Sequence, residues 1–261
     1  MATAFGPSDV ERLEKVYAAP EIVEQRARTR AALGARPGER GLDVGCGPGL
    51  LACELAREVG AAGRVVGIDA SPDMIESARA RARREGLEAR VELSISDATR
   101  LDFPPESFDF VVAVQVYHYV KEVERALAEG ARVLKQGGRY AIVDTDWDSC
   151  VWLTADRDRH RRVMEGRLAE FAQPHLPPRL PGLIRAAGLR LAQAAVIPLL
   201  DIRHDPASFS VGIIGPTRNL AVRHGVPREE AEAWEADLRG RTEEGRYFFS
   251  LSRFLFVATK P

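Results

Sequence analysis

The sequence predicts a doubly wound α/β fold: a seven-stranded, mainly parallel sheet whose last strand is antiparallel, with helical insertions that cap it. Three observations predict this. Short apolar runs alternate with helix-forming runs between residues 40 and 144, the pattern of parallel strands joined by right-handed crossovers. Two of those runs, Val65-Val66-Gly67-Ile68 and Val111-Val112-Ala113-Val114, carry no polar side chain, as central strands covered on both faces require. A glycine-rich segment, Gly45-Cys46-Gly47-Pro48-Gly49, directly follows the first strand and opens a helix. In such folds the ligand crevice lies at the carboxyl ends of the strands, where that segment sits.

Taken in order, Val10, Leu13, Val16 and Tyr17 recur at helical spacing, so the chain opens on an amphipathic helix that Pro20 interrupts. A second helix, Glu21 to Leu33, ends at the turn Arg36-Pro37-Gly38. The core then reads strand Arg40 to Val44, helix Leu50 to Val59, strand Arg64 to Asp69, helix Pro72 to Glu85 and strand Arg90 to Ser94. Strand Phe108 to Val114, helix Glu122 to Leu134 and strand Arg139 to Asp144 follow. Beyond Trp147, a charged helical segment, Thr154 to Phe171, leads into proline-rich Gln173 to Pro181 and a short helix ending at Gly188. A sixth strand, Leu191 to Ile202, and a seventh, Arg246 to Thr259, are separated by a helical segment, Pro206 to Gly240. Phe209, Val211, Ile213, Ile214 and Leu220 give that segment an apolar side that must be buried, in a pocket, a lid or a partner subunit. Residues 1–35 are thus expected to form helices over the ligand site and residues 36–150 the ligand-binding core. Residues 151–261 complete the sheet and supply substrate-cap segments at about 151–180 and 206–240.

Composition narrows the function classes. Among 261 residues, 38 acidic side chains balance 37 basic ones for a net charge of −1, so nothing electrostatic recommends a nucleic acid or an anionic membrane as partner. Lys15, Lys121, Lys135 and Lys260 are the lysines; the arginine excess is spread along the chain rather than gathered into a basic block. No apolar run approaches the roughly 20 residues that span a bilayer. The start of the chain, with Asp9, Glu11 and Glu14, does not resemble a signal peptide, and the expected location is the cytoplasm. Cys46, Cys53 and Cys150 form no metal or disulfide spacing, which fits a reducing compartment.

The chemistry is concentrated at strand ends. Glycines after the first strand let the backbone turn tightly and approach a ligand, while the helix behind them presents free N–H groups. The segment fails the dinucleotide fingerprint G-x-G-x-x-G, because Leu50 stands where the last glycine belongs. Asp69 ends the second strand, twenty-four positions after Gly45, where a carboxylate can accept both hydroxyls of a ribose. Asp97 follows the third strand and can accept from an adenine amine.

Together, Leu42-Asp43-Val44-Gly45-Cys46-Gly47-Pro48-Gly49, Asp69 and Ser96-Asp97-Ala98 resemble the motif set of class I S-adenosylmethionine-dependent methyltransferases. The likeness is to the group that includes the ubiquinone and menaquinone biosynthesis enzymes. Phe108-Asp109 and Leu134-Lys135-Gln136-Gly137-Gly138-Arg139 match its further signatures, and the resemblance spans about Arg36 to Trp147. It implies a Rossmann-like core binding S-adenosylmethionine and releasing S-adenosylhomocysteine. It further implies that the glycine loop (Asp43, Gly45, Cys46, Gly47, Gly49) surrounds the methionine part. Asp69, Ala70 and Met74 lie about the ribose, Asp97 and Ala98 at the adenine, and Gln115 and Tyr17 close the site. Cys46 needs no reactivity there; a small side chain suffices.

The loop Gln115-Val116-Tyr117-His118-Tyr119 is where the resemblance implies contact with the transferable methyl and the acceptor, so Tyr117, His118, Asp146 and Trp147 are the candidate acceptor residues. His118 is either a general base for a hydroxyl or phenol, or a partner of a neighbouring backbone group. Asp144, Asp146 and Asp148 alternate after the fifth strand, as a cation site or as solvated and capping groups. An EF-hand reading fails at Ser149 and Ala155, and Gln115 replaces the acid that metal-dependent relatives carry, so no metal is expected. His160 and His175 read as solvated, and Trp147, Trp152 and Phe171 as pocket lining or core. The expected function is methyl transfer to a small-molecule acceptor, at oxygen, nitrogen or carbon, by a monomer or homodimer. The alternative is a protein that binds the cofactor without methylating, regulatory or using it for another reaction.

Overall fold

A computed structural model describes residues 7–261, so residues 1–6 of the N-terminal segment lie outside the described residues. Seven strands form one sheet in the order β3-β2-β1-β4-β5-β7-β6. These are β1 (Arg40–Val44), β2 (Arg64–Asp69), β3 (Val91–Ile95), β4 (Phe108–Val114), β5 (Leu134–Trp152), β6 (Arg190–Asp201) and β7 (Phe249–Thr259). The first five pair in parallel, and β7 runs antiparallel between β5 and β6. The crossovers are α3 (Leu50–Val59), α4 (Pro72–Arg84) and α5 (Val123–Val133), with α1 (Pro7–Tyr17) and α2 (Pro20–Leu33) ahead of them. Helices α6 (Arg157–Leu168) and α7 (Leu180–Ala186) precede β6; α8 (Phe209–Gly212), α9 (Ile214–Arg223) and α10 (Arg228–Glu243) separate β6 from β7.

Period-two alternation sorts each strand's side chains between two cores. Leu42, Val66, Val111 and Ile142 face α5 and α7, whereas Val65, Phe110, Val112 and Val143 face α2, α3 and α4. Arg26 and Arg30, one turn apart on α2, pair with Glu54 and Glu58, one turn apart on α3, at 3.1 and 2.5 Å. That ladder fixes where the N-terminal helices cross the sheet. Ser71 caps α4 by accepting from the Met74 N–H, with Pro72 at the first helical position.

The largest departure from expectation is β5. It runs to Trp152 instead of ending at Asp144, so the alternating acids lie within a strand. Between Asp146 and Val151 its pairing with β7 breaks register. Ser149 stitches the bulge, its hydroxyl donating to the Asp146 carbonyl at 2.6 Å and accepting from the Ser252 N–H at 2.9 Å. A bulge places an extra turn of chain where propensity reads a strand end.

A third apolar cluster joins the cap to the N-terminal helices. Val16, Ala19 and Ile22 meet Trp147, Trp152, Phe171, Phe209, Ile213 and Trp234. Trp152 and Trp234 pack edge to face at 5.4 Å between centroids. The Trp152 indole N–H donates to the Tyr247 hydroxyl at 3.2 Å and that of Trp234 to Nδ1 of His160 at 3.0 Å. His160 is therefore a half-buried acceptor in the cap and not the solvated residue the sequence suggests.

Candidate active site

The glycine loop is shaped by its backbone. Gly45, Gly47 and Gly49 all have positive φ, at 66°, 52° and 81°. A Cβ on Gly45 would lie 2.4 Å from Val116 Cγ2, whereas one on Gly47 would meet only Tyr17, at 3.9 Å. The open side of Gly47 faces a cleft that opens to solvent. Asp69 holds the loop from behind, one carboxylate oxygen accepting from the Gly47 N–H and the other from the Ser71 N–H, each at 2.9 Å. Burial pushes its carboxyl above the usual range, against the lowering effect of those bonds.

Six of the expected residues, Tyr17, Asp43, Gly45, Cys46, Gly47 and Gln115, line this cleft. Asp43 is 2% exposed and its Oδ2 has no hydrogen-bond partner. Burial, and then the charges of Asp69 and Glu54, push its carboxyl well above the normal range. Burial likewise raises the Cys46 thiol, keeping it protonated and unreactive, as expected of a filler. Gln115 takes a left-handed φ of 59° and accepts through Oε1 from the Thr145 hydroxyl at 2.6 Å.

The adenine-side residues stand apart from the cleft lining. Asp97 is exposed and accepts from the N–H and hydroxyl of Thr99, both at 2.8 Å. Ala70 is exposed, Ala98 is half-buried, and Met74 is buried in the core.

The acceptor set divides. Tyr117 is corrected: the turn at Tyr117–Tyr119 directs it into the core, where its hydroxyl pairs with that of Tyr140. His118 is 2% exposed, with Nδ1 bonded to the buried Asp144 carboxylate and its own N–H directed at the same group at 3.3 Å. The imidazole lies 4.2 Å from Tyr119 and 4.9 Å from Phe171, centroid to centroid. Trp147 stacks on Phe171 at 5.3 Å, with the Arg167 guanidinium 4.1 Å from its ring. His175 is exposed, as the sequence suggests, and its Nδ1 lies 3.0 Å from Asp148 and 3.6 Å from Asp146. These three offer ligand atoms within 4.8 Å of one another, a grouping that ion pairing explains.

Sequence reasoning missed Ile22, Gln25, Arg26, Leu50 and Arg253 on the cleft wall. A signal for Arg253 was present. It stands at an inward position of the alternation Phe249, Leu251, Arg253, Leu255, a charge where the pattern demands an apolar side chain.

A methyltransferase-domain family profile matches residues 42–142, the segment that carries the glycine loop, Asp69 and Asp97. The chain belongs to the class I S-adenosylmethionine-dependent methyltransferases. This methyltransferase is 32% identical, over 97% of its length and 71% of the relative's, to an uncharacterized 37.1 kDa protein in transposon Tn4556 of Streptomyces fradiae. It is 31% identical to the 2-phytyl-1,4-naphtoquinone methyltransferase of Nostoc punctiforme, over 64% of its own length and 66% of the relative's. The relatives named as methyltransferases are aligned over 38–66% of their own length. In fold it is similar to the phosphoethanolamine N-methyltransferase 2 of Haemonchus contortus in complex with S-adenosyl-L-methionine, with a TM-score of 0.64 and 19% identity. That match covers 99% of this chain and 58% of the other.

The residues present fit the cofactor. The orphaned Oδ2 of Asp43 suits a ligand bearing an ammonium, and the open side of Gly47 admits backbone approach. Among the described residues no helix is long and apolar enough to cross a membrane.

Proposed function

We propose that this methyltransferase acts on a small organic acceptor held beneath the cap, with His118 removing a proton from the acceptor. The observation that carries the proposal is the buried pair of His118 and Asp144. Nδ1 is committed to the carboxylate, which leaves Nε2 for proton transfer and stabilises the imidazolium once formed. The alternative, a histidine whose ring only partners a neighbouring backbone group, does not account for the ring contact to a buried acid.

When bound, S-adenosylmethionine supplies a methyl on a sulfonium, open to in-line attack by oxygen, nitrogen or carbon. The chain's own part is alignment and dryness. Asp43, Gly45, Cys46, Gly47, Gln115 and Tyr17 would hold the methionine portion, Asp69 with Ala70 and Met74 the ribose side, and Asp97 with Ala98 the adenine. Trp147, Phe171 and Tyr119 form an apolar wall about His118 that excludes water, and Asp146 stands at its rim. Residues 151–180 and 206–240 serve as substrate cap, the described part of residues 1–35 (residues 7–35) as cofactor cover and residues 36–150 as binding core. A net charge of −1 gives no electrostatic reason for a nucleic acid partner, and a cytoplasmic monomer or homodimer acting on a small molecule is the expected form.

The experiment is S-adenosylhomocysteine production over a panel of phenols, amines and carboxylic acids, comparing wild type with His118→Gln. Turnover should fall roughly 100-fold or more in the variant, the lower range for a general base. Equal turnover would remove His118 from the reaction. Cofactor binding without turnover of any acceptor would favour the non-methylating alternative.

A further inference from the structure

The cleft contains a positive charge that none of the methyl-transfer assignments uses. Arg253, on β7, is 4% exposed and lies in register with Thr145 of β5, the residue bonded to Gln115. Its Nη1 donates to Oε1 of Gln25 on α2, which is itself 1% exposed. Arg253 Nε and Gln25 Nε2 are both buried donors without an acceptor. No acidic side chain lies at ion-pair distance from the guanidinium among the described residues. The Gln25 amide oxygen, the Phe209 ring 4.7 Å away and the more distant charge of Asp144 compensate it only in part.

A guanidinium taken out of water without a counter-ion is strongly disfavoured, and the usual resolutions are pairing or exposure. Burial lowers the Arg253 pKa to about 10, so it remains protonated at neutral pH. Both residues line the same cleft, and a planar guanidinium beside a primary amide is the donor set that recognises a carboxylate in two-point fashion.

We propose that Arg253 and Gln25 form a carboxylate-binding subsite at the β7 end of the cleft, which a ligand fills from between α2 and the sheet. Two sources offer this chemistry: the carboxylate of the cofactor's amino-acid end, or a carboxylate on the acceptor. Assignment to the first source rests on the methyltransferase reading above; the subsite itself does not.

The test is calorimetry with wild type, Arg253→Met and Gln25→Leu against three probes. These are S-adenosylhomocysteine, its decarboxylated analogue, and benzoate added to the S-adenosylhomocysteine complex. If the cofactor's carboxylate fills the subsite, Arg253→Met weakens S-adenosylhomocysteine binding roughly 10- to 100-fold and leaves the decarboxylated analogue unchanged, the range for hydrogen bonds to a charged group. If the acceptor's does, the variant keeps S-adenosylhomocysteine affinity, and benzoate binds the wild-type complex but not the variant's. Gln25→Leu should move the same probe in the same direction and stands in should Arg253→Met fail to fold. Unchanged affinities for all probes in folded variants overturn the subsite. So does an equal loss for ligands with and without the carboxylate. Failure of wild type to bind S-adenosylhomocysteine would count against the cofactor reading alone; benzoate titrated into the ligand-free wild type and variants then decides the subsite, and absence of wild-type binding overturns it.

Discussion

In the glycine loop the groups that fix the shape are backbone atoms, whereas in the cap they are side chains far apart in sequence. The loop is held by three positive-φ glycines and by Asp69 accepting from two N–H groups within a span of 25 residues. The cap rests on Trp152, Trp234, His160 and Tyr247, joined across 74 and 95 positions. A shape set by backbone demands particular residue types at fixed spacing; one set by packing accepts any side chains that fill the volume. One scaffold can therefore keep its cofactor chemistry constant while the acceptor end is recast.

If the two regions are separable, Trp234→Ala should cost about 3–5 kcal/mol of stability, the usual cost of a large aromatic truncated in a core. Denaturant titration measures that loss, and S-adenosylhomocysteine affinity in the folded fraction should stay within about twofold, as expected for distant sites. A parallel fall in affinity would break the comparison. Asp69→Ala should do the reverse, weakening S-adenosylmethionine binding by about 1.5–3 kcal/mol while the cap stays intact. Unchanged calorimetric affinity in a folded protein removes Asp69 from the site.

Gly45→Ala probes the backbone directly. Its left-handed φ and the Val116 contact should together cost about 2–4 kcal/mol, read from thermal unfolding. Asp43→Asn sharpens the comparison through pH. Burial raises the Asp43 pKa above its unfolded value, so ionisation costs the ligand-free protein stability as pH rises through the carboxylate range. The asparagine variant should be the more heat-stable apo protein at neutral pH, lose that advantage in acid, and bind S-adenosylhomocysteine more weakly by about 1 kcal/mol. The smallest effect is expected in the cap. Gly240, inside α10 with open space around its Cα, should accept alanine with a gain of about 0.5–1 kcal/mol.

The bounds of β1, β2 and α3 follow directly from the sequence, because apolar runs ended by glycine or acid leave little choice of boundary. The end of β5 was illegible, since a bulge has no composition of its own and Ser149 ties it to Ser252, 103 positions away. In the site, Gly45, Gly47 and Asp69 were legible because local geometry requires their residue types. The pairing of His118 with Asp144 was not, because strand order makes neighbours of residues 26 positions apart. Tyr117 was misplaced because one turn of 3₁₀ helix decides which way a loop tyrosine points.

Gly67, in the middle of β2, sits directly behind the glycine loop. A Cβ there would lie 3.0 Å from Cys46 Sγ and 2.8 Å from Leu93 Cδ2, so alanine at 67 requires one of them to yield. Leu93 is half-buried on the edge strand β3, while Cys46 borders the open cleft. Where Cys46 is the one to yield, volume added on the far side of the strand is displaced toward the ligand, so the aperture of the cleft is coupled to a residue that does not line it. Paired changes at 46 and 67 that conserve their summed volume offer a way to narrow or widen the entrance by fractions of an ångström, leaving every polar group of the site in place.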